Sequence, residues 1–396
     1  MIDNIDKNIC TGCNGCLNIC PKKCVYMKSD DKGFWYPEVN YEQCVKCGLC
    51  KKVCPALHEV IVKNNYIEPK IYASWSLDEE VRFNSTSGGV FTELAKYIIS
   101  RGGYVAAAKY NDKHLVEHEI IDNIKDLNML RQSKYIQSDI GVIYQKIKEK
   151  LSKGNLVAFC GAPCQVAGLL KYLGKDYSNL MCFDFVCRGT NSPKAYIKYL
   201  EMLEGKYKSK VKKVWFKNKT YGWNRFSTRI DFENGKVYLK DRYTDLFMRG
   251  YIEENLYMRD CCFNCKYMEF PRKSDITLAD FWGIGTKDRS LDTDKGTSLV
   301  MINTDKGNDI FNIIKEQIYA KEMSIQDALP NNRCILEPAV KNPKSDEFLK
   351  MLDNNSFDEC FRVNVQVQKR KRLKLKVYRI GSRMKRKLYN MLIFLK

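Results

Sequence analysis

Apolar positions between residues 84 and 98 repeat with a helical period. After Asn84-Ser-Thr-Ser-Gly-Gly, the residues Val90, Phe91, Leu94, Tyr97 and Ile98 fall on one face. The Ser- and Gly-containing stretch predicts an N-cap cluster and a helix start, and Arg101-Gly-Gly predicts its end. Tyr104-Val-Ala-Ala-Ala then reads as a buried strand. Leu156-Val-Ala-Phe-Cys160 reads as another, closing at Gly161-Ala-Pro-Cys164. A helix follows through Val166, Leu169, Leu170 and Leu173, and a third strand over Leu180-Met-Cys-Phe-Asp-Phe-Val. Strand–helix–strand order predicts an α/β core. His114 and His118 share a strand face with Val116 and are expected as partly exposed sheet residues rather than ligands.

The periodic pattern does not run through the whole chain. Residues 1–57 carry short strand and turn signals instead, with NIDKN and NYEQ expected as two short strands. Residues 58–70 read as a linker containing Pro69, residues 71 to about 340 as the long mixed segment, and residues from 365 as a basic tail. No run of eighteen uncharged apolar residues is present, so no transmembrane helix is expected. The start, MIDNIDKNIC, lacks a basic and then apolar leader, which argues against export and for a cytoplasmic location.

Composition sharpens this at one residue type. The 396-residue chain holds 18 cysteines, and many stand at spacings too short for comfortable disulfides with one another, so metal binding is the better reading. The net charge of +20 is uneven. Lys369 to Lys396 includes twelve basic and no acidic residues, so the overall charge is no nucleic-acid signal. That stretch mixes Lys and Arg with Leu373, Leu375, Val377 and Ile380 and ends in Leu388-Tyr-Asn-Met-Leu-Ile-Phe-Leu395. It suits peripheral contact with the anionic inner face of a membrane, or a solvated helix docked on its own core.

The N-terminal cysteines form an internal repeat. Cys10-x-x-Cys13-x-x-Cys16-x-x-x-Cys20-Pro21 matches Cys44-x-x-Cys47-x-x-Cys50-x-x-x-Cys54-Pro55. Three thiolates from one loop wrap a face of a 4Fe-4S cube, and the fourth of each run ligates the other cluster. The expected sets are therefore Cys10, Cys13, Cys16 with Cys54, and Cys44, Cys47, Cys50 with Cys20. Gly12, Gly15 and Gly48 suit tight loops whose amides face the sulfurs. Zinc prefers two separated cysteine pairs, which this is not. Cys24 lies outside the pattern and reads as a small buried side chain.

Further along stand Cys160, Cys164, Cys182, Cys187, Cys261, Cys262 and Cys265. Cys164 and Cys187 lie just past predicted strand ends, where ligands collect in a parallel sheet. With Cys262-x-x-Cys265 they make the best-placed foursome for a third cluster.

Six stretches, in order across about residues 71–310, resemble the beta subunit of coenzyme F420 (deazaflavin) hydrogenases and dehydrogenases. They are Ser87-Gly-Gly-Val-Phe, Arg131-Gln-Ser-Lys-Tyr-Ile-Gln-Ser138, Gly161-Ala-Pro-Cys-Gln165, Phe185-Val-Cys-Arg-Gly189, Cys262-Phe-Asn-Cys265 and Asp275-Ile-Thr-Leu-Ala-Asp-Phe-Trp-Gly283. The resemblance implies FAD and a 4Fe-4S cluster. It also implies a fold of an α+β ferredoxin-like domain followed by an α/β flavin-binding domain with a mixed sheet. Residues 71–150 become the flavin region, and 151–340 the C-terminal region with the third cluster. Where the family has Cys-His-Gly, this chain has Cys187-Arg188-Gly189, which removes a proton-transfer histidine and favours an anionic group. Gly161-Ala-Pro-Cys164 stands in place of Gly-Thr-Pro-Cys, and the cysteine is kept.

Given the resemblance, Ser85-Thr-Ser87-Gly88-Gly89 at a helix start suits the FAD pyrophosphate. Arg131, Lys134 and Tyr135 are candidates to hold phosphate or the flavin ring. Asp280-Phe-Trp-Gly283 is either a turn lining the cofactors or a buried aromatic corner. The function expected is an oxidoreductase passing electrons between 4Fe-4S clusters and FAD and on to an unidentified small molecule, in either direction, with soluble ferredoxin or another redox protein as partner. A non-catalytic electron-transfer subunit of a larger complex is the alternative, and a cluster-based redox sensor a third reading.

Overall fold

The structure is a computed structural model that describes residues 1–62 and 64–365. The basic tail read over 369–396 lies outside the described residues. The chain divides into two compact units that cut across the segments read from composition. One comprises Met1–Thr190 with Arg259–Ala339, the other Asn191–Met258 with the chain from Val340 onward.

The first unit begins with a small hairpin of β1 (Val25–Ser29) and β2 (Trp35–Val39). Two short helices lie inside the cysteine runs, α1 (Gly15–Ile19) and α2 (Leu49–Lys52), each entered from a left-handed residue, Asn14 and Gly48. The segments expected as strands ahead of each run are turns instead. Their Asp and Asn side chains bond their own backbone, Asp6 accepting from the Asn8 amide at 2.8 Å and Asn40 from the Glu42 amide at 3.0 Å, which favours turns over extended pairing.

The remaining strands of this unit form one mixed sheet. They are β3 (Lys70–Ser76), β4 (Tyr104–Tyr110), β5 (Val116–Ile121), β6 (Ser138–Asp139), β7 (Val157–Cys160) and β8 (Leu180–Phe185). After the second unit's β9 (Val211–Asn218), β10 (Ser227–Phe232) and β11 (Val237–Asp241) come β12 (Ile276–Asp280), β13 (Ser298–Ile302) and β14 (Ile318–Met323). Among the described residues the sheet has nine strands in the order β14-β3-β13-β12-β8-β7-β4-β5-β6. Its centre, β12-β8-β7-β4, is parallel, while β3, β13 and β14 pair antiparallel. The fold is thus mixed α/β with a ferredoxin-type region in front.

Helices cover both faces, which is why the central strands read as unbroken apolar runs. On one face Val90, Leu94 and Ile98 of α3 (Val90–Ser100) pack with Phe311 on Val105, Ala158 and Phe183. On the other, Ile143 and Ile147 of α4 (Ile143–Ser152) and Val166 and Leu169 of α5 (Pro163–Leu173) pack on Ala106, Val157 and Phe159. Ile19 and Val53 of the ferredoxin region join this second core, so that region is seated on α4 and α5. Polar contacts fix the seat. Asn14 donates to Asp139 at 2.7 Å, Asn18 to the Gly141 carbonyl at 2.8 Å, and Gln145 to the Asn18 carbonyl at 2.8 Å.

His118 departs from expectation. It lies in β5 with only 6% exposure, its ring stacked 5.5 Å from that of Phe159 and neither nitrogen hydrogen-bonded. Burial holds its pKa down to about 3, so it is neutral. His114 sits in the turn before β5 at φ +57°. The alternation pattern misled because α4 and the loop after β5 cover a strand that resembles an exposed edge.

In the second unit the antiparallel sheet β11-β10-β9 packs with α6 (Pro193–Tyr207). An aromatic core joins Tyr199, Phe247 and Phe357. Asp245 caps the helix that follows it and accepts from the buried hydroxyls of Tyr199 at 2.6 Å and Tyr238 at 2.7 Å. This is a structural polar network of the kind a buried carboxylate requires.

Candidate cluster and cofactor sites

The two cysteine runs interleave in space. Cys20, Cys44, Cys47 and Cys50 line one cavity of about 330 Å³ of non-atom space. Cys24 lines it too. It is buried as read, but its sulfur stands 3.3 Å from that of Cys20. Cys10, Cys13, Cys16 and Cys54 form the other group. Cys10, Cys13 and Cys54 are near enough to push the buried Cys16 thiol up further by like charge. Burial also pushes the Cys13 thiol up to about 12, so its thiolate needs a compensating cation.

Backbone amides face these sulfurs, Gly12 toward Cys10, Gly15 toward Cys13, Leu17 toward Cys16, and Ala56 and Leu57 toward Cys54. Amide-lined thiols spread round a space fit a cluster, whose sulfur charge such donors stabilise. Among the described residues no three His, Cys, Asp or Glu side chains converge to hold a single ion. Gly12 is required where it stands. Its φ is +69°, and a Cβ would meet Gln137 Nε2 at 2.4 Å.

A larger cavity, about 820 Å³ of non-atom space including open solvent, lies where β8 and α5 point. Cys164, Cys187, Cys262 and Cys265 all line it, together with Cys261. Cys164 occupies the first turn of α5 behind Pro163, and Cys187 follows β8 by two residues. Cys262 lies on the short 3-10 turn Asp260–Asn264, and Cys265 caps it. The Thr190 amide donates to Cys262 Sγ at 3.4 Å and the Tyr267 amide to Cys265 Sγ at 3.5 Å. The same donor chemistry therefore surrounds this thiol set. Arg188, Lys266 and Arg272 add positive charge to the walls. The other two scattered cysteines go elsewhere. Cys182 packs in the core under α5, and Cys160, at the end of β7, faces Lys134.

Asn8, Ile9, Thr11 and Ala56 of the ferredoxin region form part of the same cavity wall. Contact is close along α5 as well. A Cβ at Gly168, one turn past Cys164, would stand 2.9 Å from Cys13 Sγ and 3.0 Å from the Tyr144 hydroxyl.

Sequence reading missed Arg259. It is fully buried, with Nε donating to the Cys10 carbonyl at 2.9 Å, Nη1 to Gln137 Oε1 at 3.1 Å and Nη2 to the Trp35 carbonyl at 3.1 Å. The guanidinium lies 4.0 Å from the centre of the Tyr36 ring. Among the described residues it has no carboxylate partner. Its neighbouring ionisable groups are the thiols of Cys10, Cys261 and Cys262 and the Tyr36 hydroxyl. Its place two residues before Cys261 was the only signal in the sequence. Cys334, also not singled out, lies 3.8 Å from Arg188 Nη1.

The two stretches assigned to flavin meet. Thr86 Oγ1 donates to Ser133 Oγ at 3.1 Å, and Gln132 Nε2 to the Asn84 carbonyl at 3.0 Å. Several groups expected to face phosphate instead hold the fold. Ser85 Oγ donates to the Val81 carbonyl at 2.8 Å, Ser87 Oγ to the Thr297 carbonyl at 2.9 Å, and the Gly88 amide to Ser298 Oγ at 2.9 Å. Gly88 packs against β3, where a Cβ would meet the Ser74 carbonyl at 2.4 Å. Gly89, at φ +92°, is the N-cap of α3 in place of the expected serine or threonine.

Lys134 is enclosed. Its Nζ donates to the carbonyls of Leu130, Arg131 and Gln132 at 3.3, 2.7 and 3.2 Å, and burial pulls its pKa down to about 7. Arg131 is half-buried with Nε unbonded, and Tyr135 is half-buried beside it. Asp280 ends β12, Phe281 is fully buried, and Trp282 is half-buried.

Fold and thiol constellations together define an iron–sulfur electron-transfer protein of oxidoreductase type. Residues 154–328 match the family that describes the C terminus of the beta subunit of coenzyme F420 hydrogenase/dehydrogenase, and residues 9–57 match the 4Fe-4S dicluster domain. The chain belongs to the F420 hydrogenase/dehydrogenase beta-subunit family, with a dicluster ferredoxin domain in front.

Among curated relatives, the ketoisovalerate oxidoreductase subunit VorC of Methanothermobacter marburgensis is 35% identical over 60 residues, 15% of this chain and 76% of that protein. The pyruvate synthase subunit PorD of the same organism is 35% identical over 51 residues, 13% of this chain and 53% of PorD. Among solved structures, a chain of the F420-reducing [NiFe] hydrogenase complex from Methanosarcina barkeri aligns with a TM-score of 0.46 at 17% identity, over 72% of this chain and 99% of that one. No described helix is long and apolar enough to cross a membrane.

Proposed function

We propose that this chain is a flavin-dependent iron–sulfur oxidoreductase. In this reading electrons pass between two ferredoxin-type 4Fe-4S clusters, a third 4Fe-4S cluster and FAD, and on to an unidentified small molecule or coenzyme. The observation that carries the reading is the cavity holding Cys164, Cys187, Cys262 and Cys265, part of whose wall is the ferredoxin region itself. Clusters carry one electron each while a flavin takes one or two, which is the chemical reason to combine them.

The chain's own residues supply the rest. Cysteines and the amides facing them would hold the clusters. Arg259 keeps a positive charge in the wall between the Cys10 group and the third cavity. Arg131, Lys134 and Tyr135 remain the candidates for flavin, because Ser85, Ser87 and Gly88 are bonded into the sheet. The 18 free cysteines suit a reducing, cytoplasmic compartment.

Anaerobic purification with iron, sulfide and flavin analysis tests the reading. About twelve iron atoms per chain are expected from three four-iron clusters. Eight would leave the third thiol set without a cluster. A full iron load with no bound or bindable flavin would sink the flavoprotein assignment.

A second reading is an electron-transfer subunit of a larger complex, supported by the relatives VorC and PorD, both named as subunits. Co-purification of a partner, with the isolated chain inactive, would favour it.

A further inference from the structure

We propose that the rim of the cavity lined by Cys20, Cys44, Cys47 and Cys50 is the docking surface for an acidic one-electron carrier protein. The proposal rests on the reading that these cysteines hold a cluster, and it adds where electrons arrive and what charge their carrier bears. Of the eight cysteines in the two runs, Cys47 is the exposed one. Two apolar residues of the same cavity face solvent beside it, Val45 at 58% and Leu49 at 37% exposure.

Around this apolar seat stand four exposed lysines. Lys22 lines the cavity, Lys46 lies between Val45 and Cys47, Lys23 precedes Cys24, and Lys51 follows Cys50. Among the described residues none of the four is held in an ion pair, although lysines elsewhere on the surface commonly are, such as Lys153 with Glu149 at 2.6 Å. Acidic side chains do not balance them. Glu42 is exposed nearby, and Asp3 is engaged by the N-terminal ammonium at 3.1 Å.

A small apolar patch ringed by unpaired cations, over the exposed end of a redox centre, suits a transient encounter. Weak electron-transfer interfaces are the smallest class, and complementary charge acts chiefly on their association rate. The step is balanced as one electron leaving the carrier's reduced centre and one gained at the Cys47-side cluster, with no proton or group moved.

The test uses the full chain with its clusters, kept anaerobic, and an acidic bacterial-type ferredoxin as probe in stopped-flow reduction. The wild-type rate constant is expected to fall steeply with ionic strength. A Lys22→Glu/Lys46→Glu/Lys51→Glu variant is expected to lose at least about tenfold in rate at low salt. Its reduction by the methyl viologen radical cation should not slow, and Lys125→Glu, away from the rim, should behave as wild type.

A wild-type rate flat in salt, or a triple variant equal to wild type with the ferredoxin, overturns the docking surface while both clusters are seen by electron paramagnetic resonance. The wild-type salt series decides the matter even if the triple variant fails to assemble. Wild-type protein lacking the Cys47-side cluster overturns the underlying cluster reading together with the docking surface.

Discussion

The two cysteine runs are near copies in sequence and opposites in surroundings. The site completed by Cys54 holds Cys10 and Cys13 buried, lies beneath Arg259, and presses Cys13 against α5 at Gly168. The site completed by Cys20 has an exposed Cys47 and a rim of lysines. Ligand spacing sets what each copy can bind. Tertiary contacts set which copy meets the rest of the protein and which meets solvent. In the proposed wire, the exposed copy faces outward and the buried copy adjoins the third cavity.

Paired variants can break or sharpen this contrast. Cys13→Ala and Cys47→Ala should each remove about four irons per chain, but with different consequences. The first should stop ferredoxin electrons from reaching the third cluster. The second should leave the inner clusters reducible by methyl viologen. Equal loss of viologen reduction in both would erase the distinction.

Gly168→Val forces volume against Cys13 and against Tyr144, whose hydroxyl is fixed on the Gln165 carbonyl at 2.7 Å. A cost of about 2–3 kcal/mol is expected, read as a fall in Tm. Gly48→Ala in the other run has open space around its Cβ and only the strain of φ +77° to bear, about 1 kcal/mol. A Gly48 variant as damaged as the Gly168 variant would contradict the exposed placement.

Replacing Arg259 by Met removes a buried cation. The midpoint potential of the Cys10-side cluster should drop on the order of 100 mV in a redox titration followed by electron paramagnetic resonance. The Cys47-side cluster should not move; equal shifts would mean that Arg259 does not discriminate the two.

The smallest effect is expected at Asp260→Asn. It loses a partly exposed pair with Lys32 at 2.9 Å, which joins the ferredoxin hairpin to the turn bearing Cys262. Stability should change by less than about 1 kcal/mol in thermal unfolding.

Legibility in the sequence followed the range of the interaction. The helices α3 and α5 and strands β4, β7 and β8 appear close to where apolar periodicity placed them, because both faces of the sheet are covered and local pattern and burial agree. Cys262 and Cys265 came from a local spacing. Cys164 and Cys187 came from strand ends, and the structure places all four on one cavity. The failures were long-range. His118 looked like an edge residue, and its burial depends on elements packed across it. Ser85 and Ser87 looked like phosphate ligands, and their hydroxyls bond backbone carbonyls, Ser87 one from more than two hundred residues away. The division at residues 190 and 258 carries no compositional mark.

By itself, the sequence determined that two four-cysteine sites of cluster type stand at the start of the chain, since four thiolates in eleven residues leave little conformational choice. It also determined that an α/β sheet follows. Tertiary structure alone decided that the Cys10 copy faces inward and the Cys47 copy outward. It alone placed Arg259 between thiols drawn from positions 10 and 261, and it alone sorted Cys160 and Cys182 away from the third cavity. Those outcomes depend on which surfaces bury each other at long sequence separation, and no spacing along a chain encodes that.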